Sequence, residues 1–141
     1  MHQSVQTSAP LVEALPPRKP PRRWRAKFSD ALRGLKLGIR GHSSFSVHFF
    51  FAALVVAAAL ALRCDLLEWC ILLGCIAFVL TAELFNSSIE ALYHGLDDLA
   101  KARGKACLDI AAGAVLLASF TAMIVGGLVL LHQLAVMLGV L

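Results

Sequence analysis

Glu83, Asn86 and Glu90 stand inside an otherwise apolar stretch. Their spacing is i, i+3, i+7, which puts all three within about 60° of one helix face. His94 continues that face. A carboxylate in such surroundings is costly, so it calls for a task and a partner. Two kinds of chemistry suit the pattern. A carboxylate withdrawn from water can act as a general base at neutral pH. One at the water boundary stays ionised and can hold Mg2+. The Asn86 amide can orient either of them, or a substrate hydroxyl. The same face would equally suit a polar network between helices that holds an oligomer together. Spacing does not choose between these readings.

The chain that must position these residues has 141 amino acids, of which 59% are hydrophobic and 16% charged, and its mean hydropathy is +0.77. Soluble domains carry about a quarter charged residues. The composition therefore excludes a water-soluble enzyme and disorder along the whole chain. Three apolar segments account for it. The first runs from about Phe45 to Leu62 without formal charge. The second runs from Leu66 to about Leu92 and carries Glu68, Glu83 and Glu90. The third runs from Ile110 to Leu141, with His132 and Gln133 its strongly polar residues. A membrane span needs about 20 apolar residues. The first and third qualify directly, and the second qualifies if its acids have a reason to be there. If Trp69 marks one interface, Glu83 lies roughly 21 Å deeper and Glu90 roughly 31 Å deeper at helical rise. Against a core of about 30 Å, Glu83 is then buried in the far third and Glu90 reaches the opposite boundary.

Charge sets the expected topology. Nine of the thirteen Lys and Arg residues lie between Arg18 and Arg40, and three more at Lys101, Arg103 and Lys105. A clustered basic end suits nucleic acid or an anionic membrane surface. The apolar segments behind it decide for the membrane and against nucleic acid. Trp24, Phe28, Leu32, Leu35 and Ile39 repeat at helical steps among Arg22, Arg25, Arg33, Lys36 and Arg40. This predicts an amphipathic surface helix over 22–40. Residues 1–21 hold all five prolines and read as a flexible tail. Basic residues favour the cytoplasmic side. The N-terminus and a 95–108 loop are thus expected inside, and the 63–67 turn and the C-terminus outside. The expected spans are about 45–62, 66–92 and 109–135. No cleavable signal peptide is expected, and Cys64, Cys70, Cys75 and Cys107 lack the spacing of a zinc site or a disulfide framework.

Asp109 opens the third segment after Lys101, Arg103 and Lys105. Read plainly it starts a helix; read functionally the group cradles phosphates. No phosphate loop, dinucleotide fingerprint, nucleophile elbow or zinc-protease pair is present. Ser87 and Ser88 suit helix packing better than nucleophilic attack. His42 and His48 lie at the start of the first span, near the acidic face.

The run Glu83-Leu84-Phe85-Asn86-Ser87-Ser88-Ile89-Glu90-Ala91 resembles the first motif of the prokaryotic diacylglycerol kinase and undecaprenol kinase family. Asp109-Ile110-Ala111-Ala112-Gly113-Ala114-Val115-Leu116 looks like that family's second motif, and Gly34-Leu35-Lys36 fits its surface helix. The resemblance covers about residues 22–135. It implies an all-α membrane protein, with a surface helix and three transmembrane helices per protomer in a trimeric bundle. It also implies a lipid kinase of the bacterial inner membrane that moves the γ-phosphate of Mg-ATP onto a lipid hydroxyl of diacylglycerol or undecaprenol. By matching positions, Glu83 takes the place of the general base and Asn86 that of an active-site asparagine. Glu90 matches a metal-binding acid, Asp109 a nucleotide-site acid and Arg23 a nucleotide-binding arginine.

Two positions depart from the family pattern. Leu108 stands where a lysine usually precedes the aspartate, and His42 stands where a second metal-binding glutamate falls. Lys105, one helical turn before Leu108, is the candidate replacement cation. Histidine suits Zn2+ better than Mg2+. The reading is therefore a lipid kinase with Glu90 and His42 at the metal-nucleotide. Its alternative is a lipid-binding or structural membrane protein on the same fold, impaired in phosphoryl transfer.

Overall fold

The computed structural model describes residues 23–41 and 44–140 as four helices with no strand among them. These are α1 (Trp24–Gly41), α2 (Ser44–Ala61), α3 (Leu66–His94) and α4 (Asp98–Met137). The proline-rich tail 1–21 and His42 lie outside the described residues. Three helices, α2, α3 and α4, are long and apolar enough to cross a membrane. The chain is an all-α membrane protein.

The turn between α2 and α3 is short and tightly specified. Arg63 takes a positive φ of 56°, which reverses the chain. Asp65 then caps α3: its carboxylate accepts from the Glu68 amide at 2.9 Å, and Glu68 reaches back to the Asp65 amide at 2.8 Å. This reciprocal box satisfies two amides that an apolar helix start would leave open. It supplies the reason for one of the acids in the second segment. The Gln133 amide of α4 donates to the carbonyls of Leu62 at 3.2 Å and Arg63 at 3.4 Å. His132 Nδ1 lies 3.8 Å from Glu68 Oε1. The two polar residues late in the third segment thus both serve this turn.

At the other end the segment 95–108, expected as a loop, is helical from Asp98 onward. Gly95, Leu96 and Asp97 alone make the connection. Asp97 caps α4, accepting from the Ala100 amide at 2.8 Å. The 40-residue helix is about 60 Å long, roughly twice a bilayer core. Lys101, Arg103 and Lys105 therefore ride on its polar first turns. Good helix formers, Lys, Ala, Arg and Leu, fill that stretch and explain why it does not unwind. Asp109 does not start a helix. It sits eleven residues into α4, where no terminal dipole accounts for it.

The α3–α4 hairpin is the most extensively packed pair. Small residues set its closeness. A Cβ at Gly104 would lie 3.6 Å from Tyr93 Cδ2, and one at Gly126 would lie 3.6 Å from Leu72 Cδ2. These two approaches fix the antiparallel register, with Leu108 and Asp109 about level with Glu90. Helix α2 touches the hairpin more sparsely, burying Phe45 near its start and Ala59 near its end. Between them lies an apolar cavity of about 450 Å³, lined by residues of all three helices including His48, Val79, Ser119 and Gly126.

Helix α1 meets α3 through its small residues. At Gly38 the helices come so close that a Cβ would lie 2.7 Å from Leu84 Cδ2. Its aromatic face stays open, with Trp24, Phe28 and Leu32 all exposed. Lys27 stacks over the Trp24 ring at 5.1 Å, and Arg33 pairs with Asp30 at 2.9 Å. An open apolar face rimmed by basic residues is what a lipid surface accepts.

Candidate active site

Glu83 is 2% exposed, a carboxylate in the middle of a packed helix contact. Helix α2 brings it two partners. The Ser44 hydroxyl donates to Glu83 Oε1. His48 Nε2 lies 3.8 Å from Glu83 Oε2, and the His48 side chain is itself 19% exposed. Ser44 and His48 are four residues apart, so one face of α2 presents both. His48 also lines the apolar cavity. The buried acid is therefore one side chain away from a lipid-like space.

Sequence reasoning missed Ser44. The signal was available: Ser44 and His48 form an i, i+4 polar pair at the start of an otherwise apolar helix. A serine at a helix start also suits a cap, so the pair does not stand out in the sequence.

On α3 the polar face continues past Glu83. Ser87 is buried at 3% exposure, and its hydroxyl has no hydrogen-bond partner among the described residues. The same holds for the buried Oδ1 of Asn86. Both atoms keep acceptor capacity that no described residue uses. Ser88 instead donates to its own helix at the Leu84 carbonyl, 2.9 Å away. Glu90 lies two turns beyond Glu83, roughly 10 Å along the axis. Its Oε1 is 3.6 Å from His94 Nε2, and its side chain is 35% exposed. One acid is thus dry and the other wet, on one stripe of one helix.

Asp109 and Lys105 are exposed and one turn apart on α4, so they share a face. The register puts Asp109 about level with Glu90. Leu108, at the same level, is partly buried. Arg23 is exposed just ahead of α1. It lies fifteen residues before Gly38, roughly 22 Å along the helix axis, so α1 does not bring it to Glu83 of its own chain. Among the described residues no three His, Cys, Asp or Glu side chains form a metal-ligand cluster. Mg2+ in phosphate-binding sites commonly takes one or two carboxylates and completes its shell with water and phosphate oxygens. A single wet carboxylate such as Glu90 fits that requirement. His42, the second expected ligand, lies outside the described residues.

The prokaryotic diacylglycerol kinase family matches residues 29–130. Among similar proteins, a diacylglycerol kinase of Synechocystis sp. is 33% identical over 115 residues, covering 76% of this chain and 62% of that protein. An undecaprenol kinase of Bacillus subtilis is 30% identical over 112 residues, covering 79% of this chain and 91% of that protein. The chain thus spans less than two thirds of the length of the first relative and most of the second. No solved structure matches it significantly. The matched region contains α2, α3, most of α1 and the greater part of α4, and with them Glu83, Asn86, Glu90, Lys105 and Asp109. The chain belongs to the prokaryotic diacylglycerol kinase family.

Proposed function

We propose that this protein is a membrane lipid kinase that transfers the γ-phosphate of ATP to the hydroxyl of a lipid, diacylglycerol or undecaprenol. The observation that carries the reading is Glu83: a buried carboxylate, held from α2 and set beside an apolar cavity of about 450 Å³. A site for a small polar acceptor would have no use for that cavity.

Glu83 takes the proton of the acceptor hydroxyl as its oxygen attacks the γ-phosphorus. The bond from that phosphorus to the bridging oxygen of ADP breaks, and the products are a lipid phosphate and ADP. Asn86 orients the hydroxyl through its side-chain amide, whose NH2 can donate to the hydroxyl oxygen while Glu83 takes the proton. Phosphoryl transfer depends chiefly on positioning and on neutralising charge. Glu90 with His42 would hold the Mg2+ that accompanies the nucleotide, and that ion would supply the neutralisation, with Zn2+ as the ion better suited to histidine. Lys105 and Asp109 on α4 and Arg23 ahead of α1 belong to the nucleotide side. A homotrimer with sites completed by a neighbouring protomer is part of this reading. Twelve of the thirteen basic residues lie before α2 or on the first turns of α4. The positive-inside rule then puts the N-terminus and the reaction on the cytoplasmic side of a bacterial inner membrane, and the C-terminus outside.

Leu108 favours a second reading. It stands level with Glu90 where a cation would face the phosphates, and Lys105 is a turn away. A lipid-binding protein with impaired transfer fits that substitution. Purified protein in mixed micelles, given γ-labelled ATP with each lipid separately, tests the choice. Labelled lipid phosphate supports the kinase and names the acceptor. No label in either lipid, with Mg2+ or Zn2+, leaves the second reading.

A further inference from the structure

The contact between α2 and Glu83 goes beyond what the kinase reading requires of Glu83 alone. We propose that Ser44 and His48 are positioning residues for the Glu83 carboxylate, one on each oxygen. The inference rests on the reading of Glu83 as the base.

A glutamate side chain has three rotors, and its carboxylate swings through several ångströms unless it is held. Ser44 holds Oε1 by a direct hydrogen bond. His48 faces Oε2 from 3.8 Å, at ion-pair range for a protonated imidazole. Each carboxylate oxygen offers two lone-pair sites. One engaged site per oxygen therefore leaves capacity for the acceptor's proton. With Glu83 at 2% exposure, water cannot take over this task. Both residues come from the first five residues of α2, and no other side-chain hydrogen bond or ion pair to Glu83 is observed among the described residues. His48 also lines the apolar cavity, so one imidazole edges the space for the lipid and faces the base that would act on it. Misplacing a reacting group by about 1 Å can cost roughly a hundredfold in rate.

The test measures kcat and KM for His48→Ala, His48→Gln and Ser44→Ala in mixed micelles. His48→Ala is expected to lower kcat roughly 10- to 100-fold, with KM for ATP and lipid within about twofold of the parent. His48→Gln keeps a donor and is expected to recover part of kcat. Ser44→Ala is expected to lower kcat in the same manner, and its exposed position at a helix start makes it the safer variant to fold. A role confined to holding α2 on α3 would lower the melting temperature and leave kcat alone. A kcat for His48→Ala and Ser44→Ala within twofold of the parent overturns the proposal. If the parent itself phosphorylates neither lipid, the kinase reading fails, and infrared spectroscopy still decides the contact. The Glu83 carboxylate band, identified by its loss in Glu83→Gln, should shift in His48→Ala and in Ser44→Ala; an unmoved band in both refutes the positioning pair.

Discussion

Replacing Gly38 tests how α1 is seated on α3. A Cβ there would meet Leu84 Cδ2 at 2.7 Å, about 0.7 Å inside ordinary van der Waals contact. Leu84 is the neighbour of Glu83, so the strain falls beside the site. For Gly38→Ala two terms oppose. Leaving its rotamer costs Leu84 about 0.5–1.5 kcal/mol. The gain in helix propensity is about 0.8–1.0 kcal/mol. The net effect is within about 1 kcal/mol of zero. Gly38→Val adds two further methyl groups, for which overpacking costs about 1–3 kcal/mol. A net of about 1–2 kcal/mol raises the undocked population of α1 roughly five- to thirtyfold. Trypsin reads this directly, because α1 carries Arg25, Lys27, Arg33, Lys36 and Arg40. Cleavage within α1 in detergent should accelerate by that factor in Gly38→Val and stay within about fivefold in Gly38→Ala. Adding Leu84→Ala to Gly38→Val should slow cleavage again, because the clashing methyl is gone. Equal cleavage of Gly38→Val and the parent, or no effect of Leu84→Ala, would refute the close-approach argument.

Other consequences follow from the turns and from the nucleotide side. Asp65→Ala removes the capping box of α3 and should cost about 0.5–2 kcal/mol, seen as a lower melting temperature, with Asp65→Asn nearer the parent. Lys105→Ala should raise KM for ATP severalfold; unchanged nucleotide affinity and turnover would remove Lys105 from the site. Burial, and then the charge of Glu68, push the Cys64 thiol above its ordinary range. The reactive thiolate is therefore scarce near neutrality and appears only as pH rises through the raised value. With Cys70, Cys75 and Cys107 replaced by alanine, maleimide labelling of Cys64 should be slow at pH 7 and climb at alkaline pH. Glu68→Gln should shift that profile toward lower pH, and a profile identical to the parent's would deny Glu68 its effect.

Much of this architecture is legible in the residues. Long charge-free runs report helices that need lipid, and the i, i+3, i+7 spacing of Glu83, Asn86 and Glu90 reports one shared face. What the pattern hides is pairing between segments. Helical periodicity describes one helix at a time, so the seating of Ser44 and His48 against Glu83 appears only when α2 is placed beside α3. The extent of α4 is hidden for a related reason: Lys101, Arg103 and Lys105 mark water by their charge, and a segment in water need not be a loop. A helix can leave the bilayer without ending, and these residues favour the helix. With the helix beginning at Asp98, Asp109 lies well inside α4 and does not start it. Glu68, by contrast, is an acid out of place in a span when the sequence is read alone. The reciprocal bonds with Asp65 show it as part of a helix start.

In the proposed mechanism Glu83 takes the acceptor's proton. The direct measurement is the ATP-dependent rate of lipid phosphate formation by Glu83→Gln against the parent, with KM for ATP and lipid determined for both. Glutamine keeps the size and the hydrogen-bonding reach of the side chain but cannot accept the proton. A fall in kcat of roughly 10²- to 10⁴-fold, with KM for ATP and lipid within about twofold, is the predicted result. A Glu83→Gln protein that phosphorylates lipid within about threefold of the parent's rate would contradict it.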